Sequence, residues 1–244
     1  MTEREQVQLE RAYVLHQRAY RNTSQLLDCL SEHHGLVTLV AQGSRRAYKG
    51  QRAILQPFLP LRVSWVRRSE LGRLTHVELD HAAAPLAGKS LLAGFYLNEL
   101  LLRLTARGDP NAEIFSCYSR CLSDLMTPSS VARALRLFEL RLLHALGYAV
   151  ELGHDVDTGG PIQPGLSYRF EAERGACVYT GTSNGDDIYL GEDLIALRDE
   201  ALEDEQSLRT AKRLLARLLN VYLGERPLKT RSVMREVVGR GLES

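Results

Sequence analysis

Through the first third of the chain, apolar and polar residues alternate with a period of two, which predicts strands. Ala12-Tyr13-Val14-Leu15-His16 reads as one short strand, and Gln25-Leu26-Leu27-Asp28-Cys29-Leu30 as a second. His34-Gly35 reads as a turn, because glycine takes the left-handed conformation that hairpins favour. Leu36-Val37-Thr38-Leu39-Val40-Ala41 is a third strand, rich in β-branched residues. Residues 59–66 and 71–79 alternate in the same way and complete five strands. Five short strands with tight turns suit a small closed barrel, whereas a sandwich generally uses more.

At Ala82-Ala83-Ala84-Pro85 the period changes. Leu91, Leu92, Phe95, Tyr96, Asn98, Glu99, Leu100, Leu102 and Leu104 follow a helical repeat, and residues 112–126 predict a second helix. Ser129 or Ser130 is placed to cap a third helix, which stops at Gly147. Gly153, Gly159-Gly160, Pro161 and Pro164 then break the pattern. Residues 166–170 and 176–179 read as a hairpin around Glu173-Arg174-Gly175. Helical periodicity returns at 190–197 and at 205–223, and a last helix is expected over 230–238 with Thr230 or Ser232 as its cap. The predicted class is α+β. A five-stranded OB-fold barrel occupies residues 1–82, and a mainly helical domain with a small β-hairpin insertion, about 149–189, occupies residues 83–244.

Charge adds what periodicity does not. The whole chain of 244 residues carries a formal net charge of only +1. Yet between Gln42 and Thr75 eight basic residues, Arg45, Arg46, Lys49, Arg52, Arg62, Arg67, Arg68 and Arg73, face one acid, Glu70. Such asymmetry suits a phosphate-binding face, and it equally suits a solvated basic surface. The stretch from Gly43 to Arg52 is a loop between strands with Tyr48 within it, and OB barrels bind single strands by loop charge and base stacking. Tyr48 is placed either to stack a base or to pack on the barrel rim. Arg18, Tyr20 and Arg21, at the turn after the first strand, are placed to join the same face. A second basic patch, Arg226-Pro227-Leu228-Lys229-Thr230-Arg231, precedes the last helix, as a functional surface or as ordinary helix-start chemistry.

Signals of enzyme chemistry are weak. The chain has no G-x-x-x-x-G-K-[ST] loop, no G-x-G-x-x-G and no G-x-S-x-G. Cys117 and Cys121 share a helix face, but no second pair follows at ligand spacing, so core packing is the expectation. His33-His34 and the group His154, Asp155, Asp157 and Cys177 match no metal pattern. The four cysteines are too few and scattered for a disulfide framework. The first residues lack the apolar stretch of a secretory signal, and no apolar run is long enough to cross a membrane. The expectations are a cytoplasmic, nucleoid-associated protein, no enzyme, no cofactor and no bound metal.

Six ordered segments together resemble the RecO family of recombination mediators. They are Ala12 to His16 with Thr23-Ser24 and Leu26-Leu27; Gly35 to Arg45; Leu55-Gln56-Pro57-Phe58-Leu59-Pro60-Leu61; Gly94-Phe95-Tyr96-Leu97-Asn98-Glu99-Leu100; Arg136-Leu137-Phe138-Glu139-Leu140 with Leu146-Gly147-Tyr148; and Pro227-Leu228-Lys229-Thr230-Arg231. The resemblance implies binding of single- and double-stranded DNA, annealing of complementary strands, and action with RecR to load RecA onto DNA coated by single-stranded-DNA-binding protein. It also implies docking of that coat protein's acidic-apolar C-terminal tail. Separately, the chain is expected to be monomeric when alone. On this reading Arg18, Arg21, Arg45, Arg46, Lys49, Arg52 and Arg68 are the candidate DNA-binding residues. Phe115, Tyr118 and Arg136 are the candidates for the tail, or else core aromatics and a surface arginine. Some members carry a four-cysteine zinc site; here the region keeps only Cys177, and zinc is not expected. Gln42 stands where the family often has lysine. The alternatives are an OB-fold RNA-binding adaptor without a role in recombination, and a metal-dependent hydrolase built on His33, His34 or the His154 to Asp157 group.

Overall fold

A computed structural model describes residues 5–43, 53–148, 150–172, 174–182, 185–224 and 226–233. The chain divides into two compact units, Met1–Pro128 with Leu228–Ser244, and Ser129–Pro227.

Five strands close the barrel of the first unit: β1 (Glu5–Tyr20), β2 (Ser24–Ser31), β3 (Gly35–Ala41), β4 (Leu61–Arg67) and β5 (Leu71–Leu79). Their order is β1-β2-β3-β5-β4, with β3 and β5 parallel and β1 closing on β4, the arrangement of an OB barrel. β1 is far longer than the five residues that the alternation suggests, because two irregularities disguise its period. One register shift lies between Val7 and Glu10, where Leu9 takes φ +49° and its N–H donates to Ser64 Oγ at 3.0 Å. The other lies between Val14 and His16. Such bulges bend a strand, so the first half of β1 pairs with β4 and the second half with β2.

Alternating residues of the strands fill the barrel. Val14, Leu27, Cys29, Val37, Leu39, Leu61, Val63 and Trp65 are buried together. Gly72 gives Trp65 its room: a Cβ there would stand 3.1 Å from Trp65 Cδ1 and 2.7 Å from Leu39 Cδ2.

Helices α1 (Gly88–Leu104) and α2 (Ala112–Asp124) belong to the same unit, with α1 packed on β1. Tyr13 and Leu15 point outward to them and are buried. The Asn98 amide of α1 donates to Leu15 O at 2.7 Å and accepts from the Tyr118 hydroxyl at 2.6 Å. This satisfies two polar groups that burial would otherwise leave costly. Asn111 caps α2, its side chain accepting from Ile114 N at 3.0 Å.

The second unit holds α3 (Val131–Ala145), a three-stranded sheet of β6 (Ser167–Glu171), β7 (Gly175–Val178) and β8 (Ile188–Leu190) in the order β7-β6-β8, then α4 (Gly191–Arg198) and α5 (Glu205–Leu223). The expected hairpin is β6–β7; β8 is a third strand too short for alternation to reveal. Ser130 stands at the start of α3, but no side-chain bond caps the helix there. α5 buries Ala211, Leu214, Leu215, Leu218 and Leu219 along one stripe. α3 and α5 pack together, and Arg141 holds Glu200 at the end of α4 in a two-bonded fork.

Candidate nucleic-acid interface

Barrel register decides which of the basic residues share a surface. Arg18 pairs with Leu26, Leu26 with Val40, and Val40 with Arg73. Directly paired residues lie on the same side of a sheet, so Arg18 and Arg73 end one outward row across β1, β2, β3 and β5. Both are exposed. The neighbouring row is His16, Asp28, Thr38 and Leu71. Arg21, in the β1–β2 turn at φ +51°, lays its guanidinium over the Tyr20 ring at 5.2 Å. Arg68, in the β4–β5 turn, is exposed. The β1–β2 and β4–β5 loops and the face of strands two and three are where OB barrels take oligonucleotides.

Asp28 organises this surface. Its carboxylate is buried and accepts from Thr38 Oγ1 at 2.8 Å, Arg18 at 3.0 Å and Arg107 at 3.0 Å. Burial alone would raise its pKa, but the hydrogen bonds from Thr38 and Arg107 and the charges of Arg107 and Arg18 outweigh that and hold it below the ordinary carboxylate value. A buried carboxylate held in its ionised form near neutrality thus fixes two guanidiniums that are themselves about half exposed.

Arg107 is missing from the sequence reading. It lies between α1 and α2, where no pattern marks it as part of the barrel. Tertiary packing brings it there: Gly108 N donates to Leu36 O at 3.0 Å, and Arg107 also donates to Thr38. Gly35 permits the approach, since it takes φ +64° and a Cβ would collide with the Asp109 carbonyl.

Charge counted along the chain overstates the face. Arg62 pairs with Asp80 at 2.6 Å, and Arg67 pairs with Glu5. Arg45, Arg46, Tyr48, Lys49 and Arg52 lie outside the described residues.

The tail candidates belong to different compact units, Phe115 and Tyr118 to the first and Arg136 to the second. Phe115 and Tyr118 are in the interior of the first unit, with ring centroids 5.5 and 5.2 Å from Tyr13. The core alternative, not the open groove, describes these two rings. Arg136 belongs to the second unit, is buried, and pairs with Glu139 at 2.9 Å. It is therefore not the surface helix residue that its position suggests.

The basic segment before the last helix also has a definite role. Glu99 of α1 accepts the N–H groups of Lys229 and Thr230 at 2.8 and 2.9 Å and the Thr230 hydroxyl at 2.6 Å. Burial would raise the Glu99 pKa, and these bonds bring it below the usual value.

His33 pairs with Glu10, while His34 packs against Trp65 and Glu5. Cys117, Cys121 and Cys177 are buried thiols. Among the described residues no three His, Cys, Asp or Glu side chains are gathered to hold a metal ion. No described helix is long and apolar enough to cross a membrane.

Comparison with known proteins agrees with this architecture. Residues 6–82 match the family model "Recombination protein O N terminal", and residues 86–232 match "Recombination protein O C terminal". The chain is 40% identical over 236 residues to the DNA repair protein RecO of Nitrosospira multiformis, covering 92% of this chain and 93% of that one. It is 40% identical over 229 residues to that of Methylococcus capsulatus, covering 94% and 93%. It is 41% identical over 231 residues to that of Nitrosococcus oceani, covering 95% and 94%. An OB barrel followed by a helical region, matched along nearly its whole length by both halves of one family, makes this chain a member of the RecO family.

Proposed function

We propose that this chain is a DNA repair and recombination mediator that binds single- and double-stranded DNA on the outer face of its barrel and anneals complementary strands. With RecR it helps to load RecA onto DNA coated by single-stranded-DNA-binding protein, whose C-terminal tail it docks. The observation that carries the DNA contact is the row from Arg18 to Arg73, flanked by Arg21, Arg68 and Arg107, with Arg18 and Arg107 oriented by buried Asp28. Guanidiniums fixed in this way meet phosphate oxygens at little entropic cost, and apolar Leu26 and Val40 lie between them. Holding two strands on basic surfaces lowers their mutual repulsion, so annealing needs no nucleotide hydrolysis. Arg45, Arg46, Lys49 and Arg52 extend the same proposed face by their place between β3 and β4.

The test is oligonucleotide binding by Arg18→Ala/Arg21→Ala/Arg73→Ala. Losing three phosphate contacts lowers the salt slope by about two on single strands and weakens binding on the order of tenfold at moderate salt. Unchanged affinity and slope refute the assignment. Competition by RNA as strong as by DNA moves the function to an RNA-binding adaptor.

A further inference from the structure

The second unit carries a different cluster of arginines. Arg169 of β6 and Arg217 of α5 both approach Asp187 Oδ2, at 3.2 and 3.8 Å. Arg213 of α5 donates to Ile188 O at 2.6 Å and lies over the Tyr189 ring at 4.7 Å. The Arg169 guanidinium lies over Tyr179 at 4.9 Å. Two guanidiniums therefore share one carboxylate, and a third is held on the adjoining Ile188 carbonyl and Tyr189 ring. All three side chains reach solvent. Along α5 the exposed positions Arg209, Lys212, Arg213 and Arg217 extend the charge, although Arg209 also meets Glu205 at 3.5 Å.

A surface with this excess of positive charge attracts an anionic partner. Its form indicates which anion. From Arg209 to Arg217 the helix advances about 12 Å, at 1.5 Å per residue. That matches three or four phosphates of one strand at about 3.4 Å each. Planar guanidiniums laid on tyrosine rings present forks to phosphate oxygens and a flat face to a base. We propose that Arg169, Arg213 and Arg217 form a second nucleic-acid-backbone site, carried by the second unit and separate in its residues from the barrel face. One molecule then has a surface for each of two strands. The site itself rests only on the cluster; its use in annealing rests on the proposed function above.

The experiment uses the full chain and a labelled oligothymidylate of about 15 nucleotides, long enough for one such surface. Binding is read by anisotropy against salt. In the Arg18→Ala/Arg21→Ala/Arg73→Ala background, adding Arg169→Ala/Arg213→Ala/Arg217→Ala is expected to cut the residual affinity at least about tenfold and the salt slope by about two. Adding the corresponding three Arg→Lys changes keeps most of the slope. Circular dichroism and melting of each variant separate lost binding from lost fold. Unchanged residual binding by a folded Ala variant overturns the proposal. So does loss of polyglutamate binding with oligonucleotide binding intact, which assigns the surface to an acidic polypeptide. If the three barrel changes alone leave binding intact while the three second-unit changes abolish it, the barrel assignment fails and this one stands.

Discussion

Asp28 and Asp187 are each the shared acid of two arginines, yet their surroundings differ. The Asp28 side chain is 3% exposed and lies in the outward face of the barrel sheet, between Arg18 and Arg107 with Thr38 beneath. The Asp187 side chain is 28% exposed and meets Arg169 and Arg217 at longer range. Buried ion pairs are demanding: removing one partner strands the other in a medium that solvates it poorly. Exposed pairs are screened and contribute little. Asp28 is thus part of the fold as well as of the surface, whereas Asp187 is a partly exposed acid that tempers a basic surface.

Three changes break or sharpen this contrast. The largest effect is expected from Asp28→Ala, which removes the carboxylate that Thr38, Arg18 and Arg107 share. It should lower stability by about 2 kcal/mol, less than a fully enclosed pair because both arginines keep solvent access; urea unfolding measures it. The folded pKa of Asp28 lies below its ordinary value of 3.8. Its ionic contribution is therefore present in full above that value and is lost as pH falls through the folded pKa. The stability gap between wild type and Asp28→Asn should be constant near neutrality and shrink below about pH 4. A gap that is widest in acid reverses this account.

Gly35→Ala comes next. It forces a left-handed conformation on a residue with a Cβ and drives that Cβ into the Asp109 carbonyl. A cost of about 1–2 kcal/mol is expected, with weaker oligonucleotide binding because Arg107 leaves Asp28. Full retention of both stability and binding would show that the α1–α2 connection does not position Arg107. The smallest change in stability should come from Asp187→Asn, below about 0.5 kcal/mol. Its effect on binding has the opposite sign to that of Gly35→Ala: removing the acid shared by Arg169 and Arg217 should raise oligonucleotide affinity a fewfold at low salt. A stability loss as large as that of Asp28→Ala would erase the distinction between the two carboxylates.

Local pattern was enough to read the elements. Alternation marked the cores of β2, β3, β4 and β5, and the helical repeats marked α1, α2, α3 and α5 with only small errors at their ends. These signals survive in one dimension because burial on one face imposes a period on neighbouring residues. β1 was read as five residues because its bulges break that period, and β8 was too short to show one. Contacts group α1 and α2 with the barrel, in a unit that runs to Pro128, because α1 packs on β1 and the Phe115 and Tyr118 rings of α2 pack on Tyr13.

By itself, then, the sequence determined the strands, the helices, the family resemblance and the presence of a basic excess. Only the tertiary structure decided which charges are free to meet a ligand. Arg62 and Arg67 are answered by Asp80 and Glu5, residues distant in sequence. Arg107 joins the barrel from a connection between helices, and Phe115 and Tyr118 turn inward to Tyr13. Electrostatic and packing partners depend on distance in space, which a closed barrel sets between residues dozens of positions apart, while periodicity reports only on neighbours along the chain.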